Sequence, residues 1–324
     1  MRRFTNSAEV PLSMAVFLAT DSYDHDSESI SATALLKPLK QIILSSRVPQ
    51  EQGLVDISGL VPSRMGTALH DAIERSWLHN YQTAMKALGY PQKVIDRVLV
   101  NPANDELYEG CIPVYLEQRS YKVIDGIKVS GKYDFVGEGR LEDFKSTSTF
   151  TWVNGTKDDD YILQGSIYRW LNPEIITQDR MAIQFIFTDW QAAQARANPK
   201  YPQARTVQKL YPLKSLAETE QFVRSKLRLI QTYKDAPEAD LPHCTDEELW
   251  RSEPQWKYYK DPNKTARSTK NFDNKQDAYL RMAQDGNVGI VKEVPGKAVA
   301  CKYCPALPIC AQARALVEAG DLDI

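Results

Sequence analysis

The sequence contains no long apolar run and no excess of either charge. Its 324 residues carry a formal net charge of −2, and no apolar stretch reaches the about 18 residues that a membrane-spanning helix requires. A domain that coats nucleic acid without specificity would be strongly basic, so the near-neutral charge disfavours that class of protein. The N-terminus also lacks the continuous apolar stretch of a secretory signal. These absences predict a cytoplasmic location and no membrane partner.

Histidine and cysteine are scarce as well, with four histidines and five cysteines in the chain. A hydrophobic content of 43% and a charged content of 25% are ordinary for a globular protein. The length allows one large domain or two modest ones. Since residues with metal-binding side chains are few, their positions carry much of the functional information.

The segment with the clearest chemistry is a predicted β-hairpin. Residues 128–136 and 140–147 both alternate apolar and polar side chains, which is the period of a half-buried strand. Between them, Glu138 and Gly139 fit a two-residue turn.

This hairpin would gather two carboxylates and an amine on one face of a sheet. With a two-residue turn, Asp134 stands directly opposite Asp143, and Lys145 projects from the same face two residues further on. Carboxylate oxygens are ligands that Mg²⁺ prefers. The hairpin therefore predicts a divalent-metal site with a cation beside it, which is the equipment for hydrolysing a phosphodiester.

Two further motifs accompany the hairpin. Upstream, a Gly-Thr-Ala-Leu-His segment ends at His70, and downstream a Gln-Gly-Ser-Ile-Tyr segment runs from Gln164 to Tyr168. Together with the acids and the lysine of the hairpin, these motifs stand in the order found in the PD-(D/E)xK nuclease superfamily, which the chain resembles. Within it, the chain is similar to the RecB/AddB-like branch, to phage-type exonucleases and to the CRISPR-adaptation nucleases.

The resemblance implies a role for each of these side chains. Asp134, Asp143 and Lys145 would form the catalytic set, with the two aspartates holding Mg²⁺ or Mn²⁺. His70 and the main-chain carbonyl of Phe144 would add metal ligands. Lys145 would orient or deprotonate the attacking water and stabilise charge in the transition state.

Gln164 and Tyr168 are four residues apart and share one face of a predicted helix, where the resemblance makes them substrate-positioning residues. Ordinary packing is the alternative for both. The resemblance implies a metal-dependent deoxyribonuclease, specifically an exonuclease, that acts on single-stranded DNA or duplex ends in recombination, repair or phage DNA metabolism. Recombination or replication proteins would be further partners, and a phage-encoded protein would work in the host cytoplasm.

A second interpretation remains open. The chain could be a catalytically inactive nucleic-acid-binding protein, or an assembly protein of a recombination complex, with a zinc-stapled tail. The complete set of Asp134, Asp143 and Lys145 favours the enzyme, because an inactive core does not need all three.

The resemblance also implies the fold, an α/β protein with a restriction-endonuclease-like core. Such a core is a mixed central sheet flanked by helices, and here a cysteine-stapled C-terminal element would follow it. The periodicity predicts helices at residues 64–88, 91–99, 159–171, 214–234 and 273–285, and strands at 112–119, 128–136, 140–147 and 181–188. The expected ranges are an N-terminal arm with a short helix (1–60), the nuclease core (61–236) and a C-terminal metal-cluster element (237–324).

The cysteines predict a second metal site. Cys301, Cys304 and Cys310 form a C-x2-C-x5-C motif, and Cys244 is the nearest candidate for a fourth ligand. In a reducing compartment such a group indicates thiolate ligation of a metal rather than disulfides. The resemblance favours a [4Fe–4S] cluster, with Zn²⁺ as the alternative. In the resembled nucleases the remote cysteine precedes the core, so the choice between Cys244 and Cys111 stays open.

Residues 255–275 combine six basic side chains with two acidic ones and several aromatic ones. Such a combination suits a groove that tracks a nucleic-acid backbone and stacks on bases. A solvated charged surface is the alternative.

Overall fold

The computed structural model describes residues 4–21, 26–49 and 55–324, so parts of the predicted N-terminal segment lie outside the described residues. The helices are α1 (Leu12–Ala19), α2 (Ala32–Leu35), α3 (Leu39–Ser45), α4 (Val61–Ala87), α5 (Gln92–Ile95), α6 (Thr149–Asn154), α7 (Asp158–Leu171), α8 (Ala192–Ala197), α9 (Leu216–Tyr233), α10 (Lys275–Gln284) and α11 (Ala311–Glu318). Across the described ranges, none of these helices combines the length and apolarity that a bilayer crossing requires.

Short and medium-length strands complete the secondary structure. They are β1 (Phe4–Thr5), β2 (Ile30–Ser31), β3 (Val55–Asp56), β4 (Val98–Val100), β5 (Ile112–Leu116), β6 (Arg119–Ile124), β7 (Ile127–Lys132), β8 (Phe135–Gly137), β9 (Arg140–Thr147), β10 (Arg180–Phe187), β11 (Thr206–Pro212), β12 (Gln255–Tyr259), β13 (Lys270–Phe272) and β14 (Ile290–Val294).

The chain divides into two compact units. The first unit comprises residues 1–37 and 54–228, and the second comprises residues 38–53 and 229–324. In this division residues 38–49 group with the C-terminal part of the chain, and the ranges expected from the sequence remain a prediction. Tertiary packing decides this membership, and sequence periodicity does not report it.

A mixed six-stranded sheet forms the centre of the first unit, in the order β11-β10-β9-β8-β5-β4. Strands β5, β8 and β9 are antiparallel neighbours, whereas β10 lies parallel to β9 after a crossover that contains α7. A parallel neighbour requires such a crossover, and a helix is its usual form. The predicted α/β fold with a mixed, helix-flanked sheet is confirmed at this level.

The predicted hairpin is confirmed in its register. Gly137 pairs with Arg140, which leaves Glu138 and Gly139 as a two-residue turn with φ values of 50° and 78°. Positive φ at both central positions is the geometry whose twist matches that of the flanking strands.

Two predicted strands are corrected by the structure. The range 128–136 contains two strands, β7 and β8, which belong to different sheets. The range 112–119 likewise ends as β5 at Leu116, after which β6 starts a hairpin with β7 in a three-stranded sheet with β2. The chain thus leaves the central sheet after β5 and returns to it before β8. Strands that switch sheets do so at bends, and alternation alone does not reveal the bend.

Another correction concerns residues 91–99, which were predicted as one helix. The helix α5 ends at Ile95, and Val98–Val100 form β4, which pairs in parallel with β5. The β-branched side chains of this tripeptide suit an edge strand that packs against α4.

The central sheet is covered on both faces by helices. On one face, Trp77 of α4 packs on Phe135 with ring centroids 5.2 Å apart, and Phe144 adjoins the same apolar cluster. On the other face, Tyr161 of α7 packs against Phe185 and approaches Lys145. Successive side chains of a strand point to opposite faces, so Phe144 and Lys145 show that α4 and α7 lie on opposite sides of β9.

The second unit contains a three-stranded antiparallel sheet, β13-β12-β14, on which α10 packs. Tyr258 and Tyr259 of β12 are buried, and the Tyr258 hydroxyl donates to the Val288 carbonyl at 2.8 Å. These two rings therefore belong to the core of the unit and are not available to stack on bases. The basic side chains of this segment are the groups left to contact a ligand.

The turn of the hairpin gives a test of the fold. A side chain at Gly139 would meet Thr177 and would occupy a left-handed backbone conformation at φ 78°. We expect Gly139→Ala to lower the free energy of unfolding by about 1–3 kcal/mol. Urea denaturation measures this change, and Gly59→Ala is the control, because no atom lies within 4 Å of its added Cβ. Equal stabilities of the two variants would contradict the turn geometry.

Candidate metal and active site

The candidate site lies at the corner where the chain passes between the two sheets. Glu117 follows β5 on the way out, and Asp134 precedes β8 on the way back. The Glu117 N–H donates to the Asp134 carbonyl at 3.1 Å, and the Tyr133 hydroxyl donates to Gln118 at 2.9 Å. These bonds tie the two crossings together, so the carboxylates of Glu117 and Asp134 come to the same point.

Asp134 is almost completely buried. Its Oδ2 accepts a hydrogen bond from the Phe144 N–H at 2.9 Å, and its Oδ1 lies 3.4 Å from His70 Nδ1. Burial works to raise the pKa of this carboxyl, but the hydrogen bond and charge of His70, with the charge of Lys145, outweigh it and hold the pKa below its usual range. The surroundings of Asp134 therefore favour the charged form of its carboxyl group.

His70 comes from α4 and lies over the same corner. Its Nε2 is 3.0 Å from the Phe144 carbonyl, and its Nδ1 faces both Glu117 and Asp134 at 3.4 Å. Burial lowers the pKa of the imidazole, yet the two carboxylates outweigh burial and raise the pKa to about 10. The corner thus stabilises positive charge strongly. The Phe144 carbonyl, predicted as a metal ligand, accepts from His70 in this structure.

Glu117 is a site residue that the sequence interpretation missed. Its side chain is 12% exposed and its Oε2 lies 2.7 Å from Lys132 Nζ. The backbone of Glu117 has φ 50°, an uncommon conformation for a residue with a side chain. Such strain clusters at functional sites. A glutamate directly after the apolar strand β5 was the available signal, but only the sheet crossing brings it to Asp134.

Asp143 and Lys145 lie on the neighbouring strand β9. Asp143 is 1% exposed, and its Oδ2 is 2.5 Å from Lys145 Nζ. Burial raises the pKa of Asp143 to about 6 against the opposing attraction of Lys145. Burial also works to lower the pKa of Lys145, but Asp143 and Asp134 outweigh it and raise that pKa. The predicted proximity of these three groups is thus seen in the structure.

The donor set fits a divalent cation. Within the described part of the chain, His70, Glu117 and Asp134 form a group whose ligand atoms all lie within 4.8 Å of one another. The two carboxylates supply the oxygen ligands that Mg²⁺ and Mn²⁺ prefer, and the imidazole is a nitrogen ligand that suits transition metals better than Mg²⁺. Asp143 lies beside this group and interacts with Asp134 and His70 through its charge.

Gln164 and Tyr168 occupy one face of α7, as predicted, and bond to each other. The Gln164 amide donates to the Tyr168 hydroxyl at 2.7 Å. Tyr168 is 5% exposed, and its ring lies so close to Gly131 that a Cβ there would collide with it. Tyr168 therefore contributes to packing, and Gln164 is the more accessible of the two.

Four of the five cysteines line a single cavity in the second unit, namely Cys244, Cys301, Cys304 and Cys310. The side chain of Gln312 holds Cys244 in place, because it accepts from the Cys244 N–H and donates to the Cys244 carbonyl, both at 2.9 Å. Burial, with added repulsion from Glu248 and the neighbouring thiols, raises the pKa of Cys244 to about 12. Cys111 lies in the first unit, directly before β5.

Comparison with known proteins does not identify a family for this chain. No family profile matches the chain, and no curated protein matches it. The crystal structure of SSO0001 is similar with a TM-score of 0.40 and 14% sequence identity, over 68% of this chain and 88% of that one. The crystal structure of a phage related exonuclease from Haemophilus somnus 129PT has a TM-score of 0.29 and 14% identity, over 64% of this chain and 93% of that one. Neither similarity is close enough to assign a function, which is inferred from the site itself.

Metal binding can be tested without any substrate. We expect Mn²⁺ to raise the melting temperature of the protein, because a ligand that binds only the folded state stabilises it. Glu117→Gln should weaken Mn²⁺ binding about tenfold or more in calorimetric titrations, as removal of a ligand or its support does at other metal sites. Glu142→Gln is the matched control, since Glu142 points to the opposite face and contacts Arg140 and Gln184. Equal losses in both variants would remove Glu117 from the site.

Proposed function

We propose that the chain is a divalent-metal-dependent deoxyribonuclease that hydrolyses phosphodiester bonds. The observation that carries this proposal is the cluster of His70, Glu117 and Asp134 beside the Asp143–Lys145 pair. Acids at a sheet corner with a half-buried lysine next to them form a site for a doubly charged cation and a phosphate.

Each residue has a chemical role in this proposal. Asp134, Asp143 and His70, with Glu117 as an additional acid, would hold Mg²⁺ or Mn²⁺, and the Phe144 carbonyl can join them if His70 releases it. A bound divalent cation lowers the pKa of water and offsets negative charge on phosphate oxygens. Lys145 would donate hydrogen bonds to the attacking water or to a phosphate oxygen, because its ammonium is held at the site by Asp143.

DNA as the substrate, and removal of nucleotides from an end, rest on the resemblance of the motifs. Gln164 would contact the substrate, with Tyr168 fixing the Gln164 amide from behind through their hydrogen bond. The same resemblance places the enzyme in recombination, repair or phage DNA metabolism.

We further propose that Cys244, Cys301, Cys304 and Cys310 hold a [4Fe–4S] cluster. Their lining of one cavity supports a shared ligand. The C-x5-C spacing of Cys304 and Cys310 and the resemblance to nucleases with such a motif favour the cluster over zinc.

The nuclease proposal is tested on end-labelled DNA with Mg²⁺, Mn²⁺ or EDTA. Cleavage should require a divalent cation, and Lys145→Met should slow it by about 10²–10³-fold while DNA binding persists, since loss of one charge-stabilising donor has an effect of this size. Lys128→Met is the control, because Lys128 pairs with Asp26 on a different sheet. Asp143→Asn should abolish cleavage, because it removes a carboxylate that would hold the metal.

An Asp143→Asn variant that cuts DNA as fast as the wild type would show that the assigned site is wrong. DNA binding by the wild type without cleavage under any metal would instead favour the inactive binding or assembly protein. Release of labelled single nucleotides, as opposed to internal fragments, decides whether the enzyme is an exonuclease.

The cluster proposal is tested by colour and iron content. Anaerobically purified protein should be brown, with broad absorption near roughly 400 nm. Cys244→Ser should lose the absorption, whereas Cys111→Ser should keep it. Since a structural metal stabilises the segment that binds it, loss of the cluster should make the second unit sensitive to protease first. A colourless protein with about one zinc per chain would overturn the cluster and keep the four-cysteine site.

A further inference from the structure

The cavity lined by the four cysteines also contains a buried lysine. Lys40, in the first turn of α3, is 3% exposed and lines the same cavity. An ammonium is among the side chains least often buried, because removal of its hydration is costly unless an opposite charge replaces the water. The burial of Lys40 therefore requires negative charge close by.

The protein groups around Lys40 provide only part of that charge. The nearest carboxylate, Glu238 Oε1, is 4.0 Å from Lys40 Nζ and also accepts the N–H of Ala311, directly after Cys310. Position within α3 does not help, since a cation in the first turn of a helix is disfavoured by the helix dipole. The cavity that Lys40 lines is the other place from which negative charge can come.

The composition of the cavity lining identifies its source. Among the described residues that line it, Lys40 is the one cation, and four thiols and the carboxylate of Glu248 line the cavity with it. Glu248 contributes one negative charge at most, and its Oε2 also accepts the Thr245 N–H at 2.9 Å. Four thiolates that bind a cluster are thus the natural counter-charge for Lys40, and Lys40 is the natural counter-charge for them.

We propose that Lys40 is a tuning residue of the four-cysteine site, where its positive charge stabilises the bound cluster and raises the reduction potential of that cluster. One-electron reduction adds a negative charge and breaks no bond, so a fixed cation nearby favours the reduced state. The surrounding apolar lining, which includes Leu44 and Leu249, strengthens this effect because it excludes water. This inference rests on the proposed cluster and not on the proposed nuclease activity.

Potentiometric titration with dithionite as the electron donor tests the proposal on the full-length protein. Lys40→Met should make reduction at least tenfold less favourable, a downward shift of about 59 mV or more for one electron. Lys40→Arg, which keeps the charge, should stay closer to the wild type. Lys302→Met is the matched control. Lys302 stands between Cys301 and Cys304 but is exposed, so its field is screened by solvent and its removal should shift the potential less.

The variants distinguish an effect of the Lys40 charge from an effect of its packing. An unchanged potential in Lys40→Met, or an equal shift in Lys302→Met, overturns the proposal while the cluster itself stands. Loss of iron from Lys40→Met with retention in Lys40→Arg supports it, because the charge is then needed to hold the cluster. Loss of iron from both variants overturns it, since packing rather than charge would then be responsible. A wild type without iron overturns the cluster and this proposal together, irrespective of whether DNA is cleaved.

Discussion

The arrangement of the candidate active site depends on one local constraint, the hydrogen bond from the Glu117 N–H to the Asp134 carbonyl. It joins the strand end that leaves the central sheet to the strand start that returns to it. Together with the pairing of Leu116 with Phe135, it places two acidic side chains from separate strands at one corner. With it, the two carboxylates lie within reach of one imidazole and one prospective cation. The strained backbone of Glu117 is the local cost of this junction.

The carboxylates at this corner also require positively charged side chains beside them. Carboxylates that lie close together in a partly buried site repel each other, and each of them has a cationic neighbour here. Glu117 pairs with Lys132, Asp143 pairs with Lys145, and His70 lies between Glu117 and Asp134. The raised pKa of His70 and the lowered pKa of Asp134 are two expressions of this electrostatic field. A field that stabilises a proton on His70 also favours a divalent cation at the same point.

The sequence predicted those parts of the site that depend on local geometry. The register of the hairpin follows from alternation and from a turn that suits Glu138 and Gly139, and the structure has both. Helix α7 was predicted within one residue of its observed limits, because its apolar period is regular. Glu117 was not predicted, since its approach to Asp134 depends on a sheet crossing between residues that are distant in sequence. The strands β4 and β6 were missed for a related reason, as short segments gain their pairing from partners elsewhere in the chain.

In the second unit, too, the sequence predicted local features but not tertiary contacts. The spacing of Cys301, Cys304 and Cys310 indicated a shared site, and Cys244 lines the same cavity. No pattern indicated that residues 38–49 would fold with this C-terminal part, nor that they would bring a lysine to the cavity of the cysteines. A lysine in a short helix is ordinarily a solvated side chain, so only its burial distinguishes it. Burial of a charged side chain depends on tertiary packing, so it reports on the surroundings of Lys40 in a way that the sequence does not. A protein retains a buried cation where an opposite charge offsets the lost hydration, and at the proposed cluster site four cysteine thiolates would supply that charge.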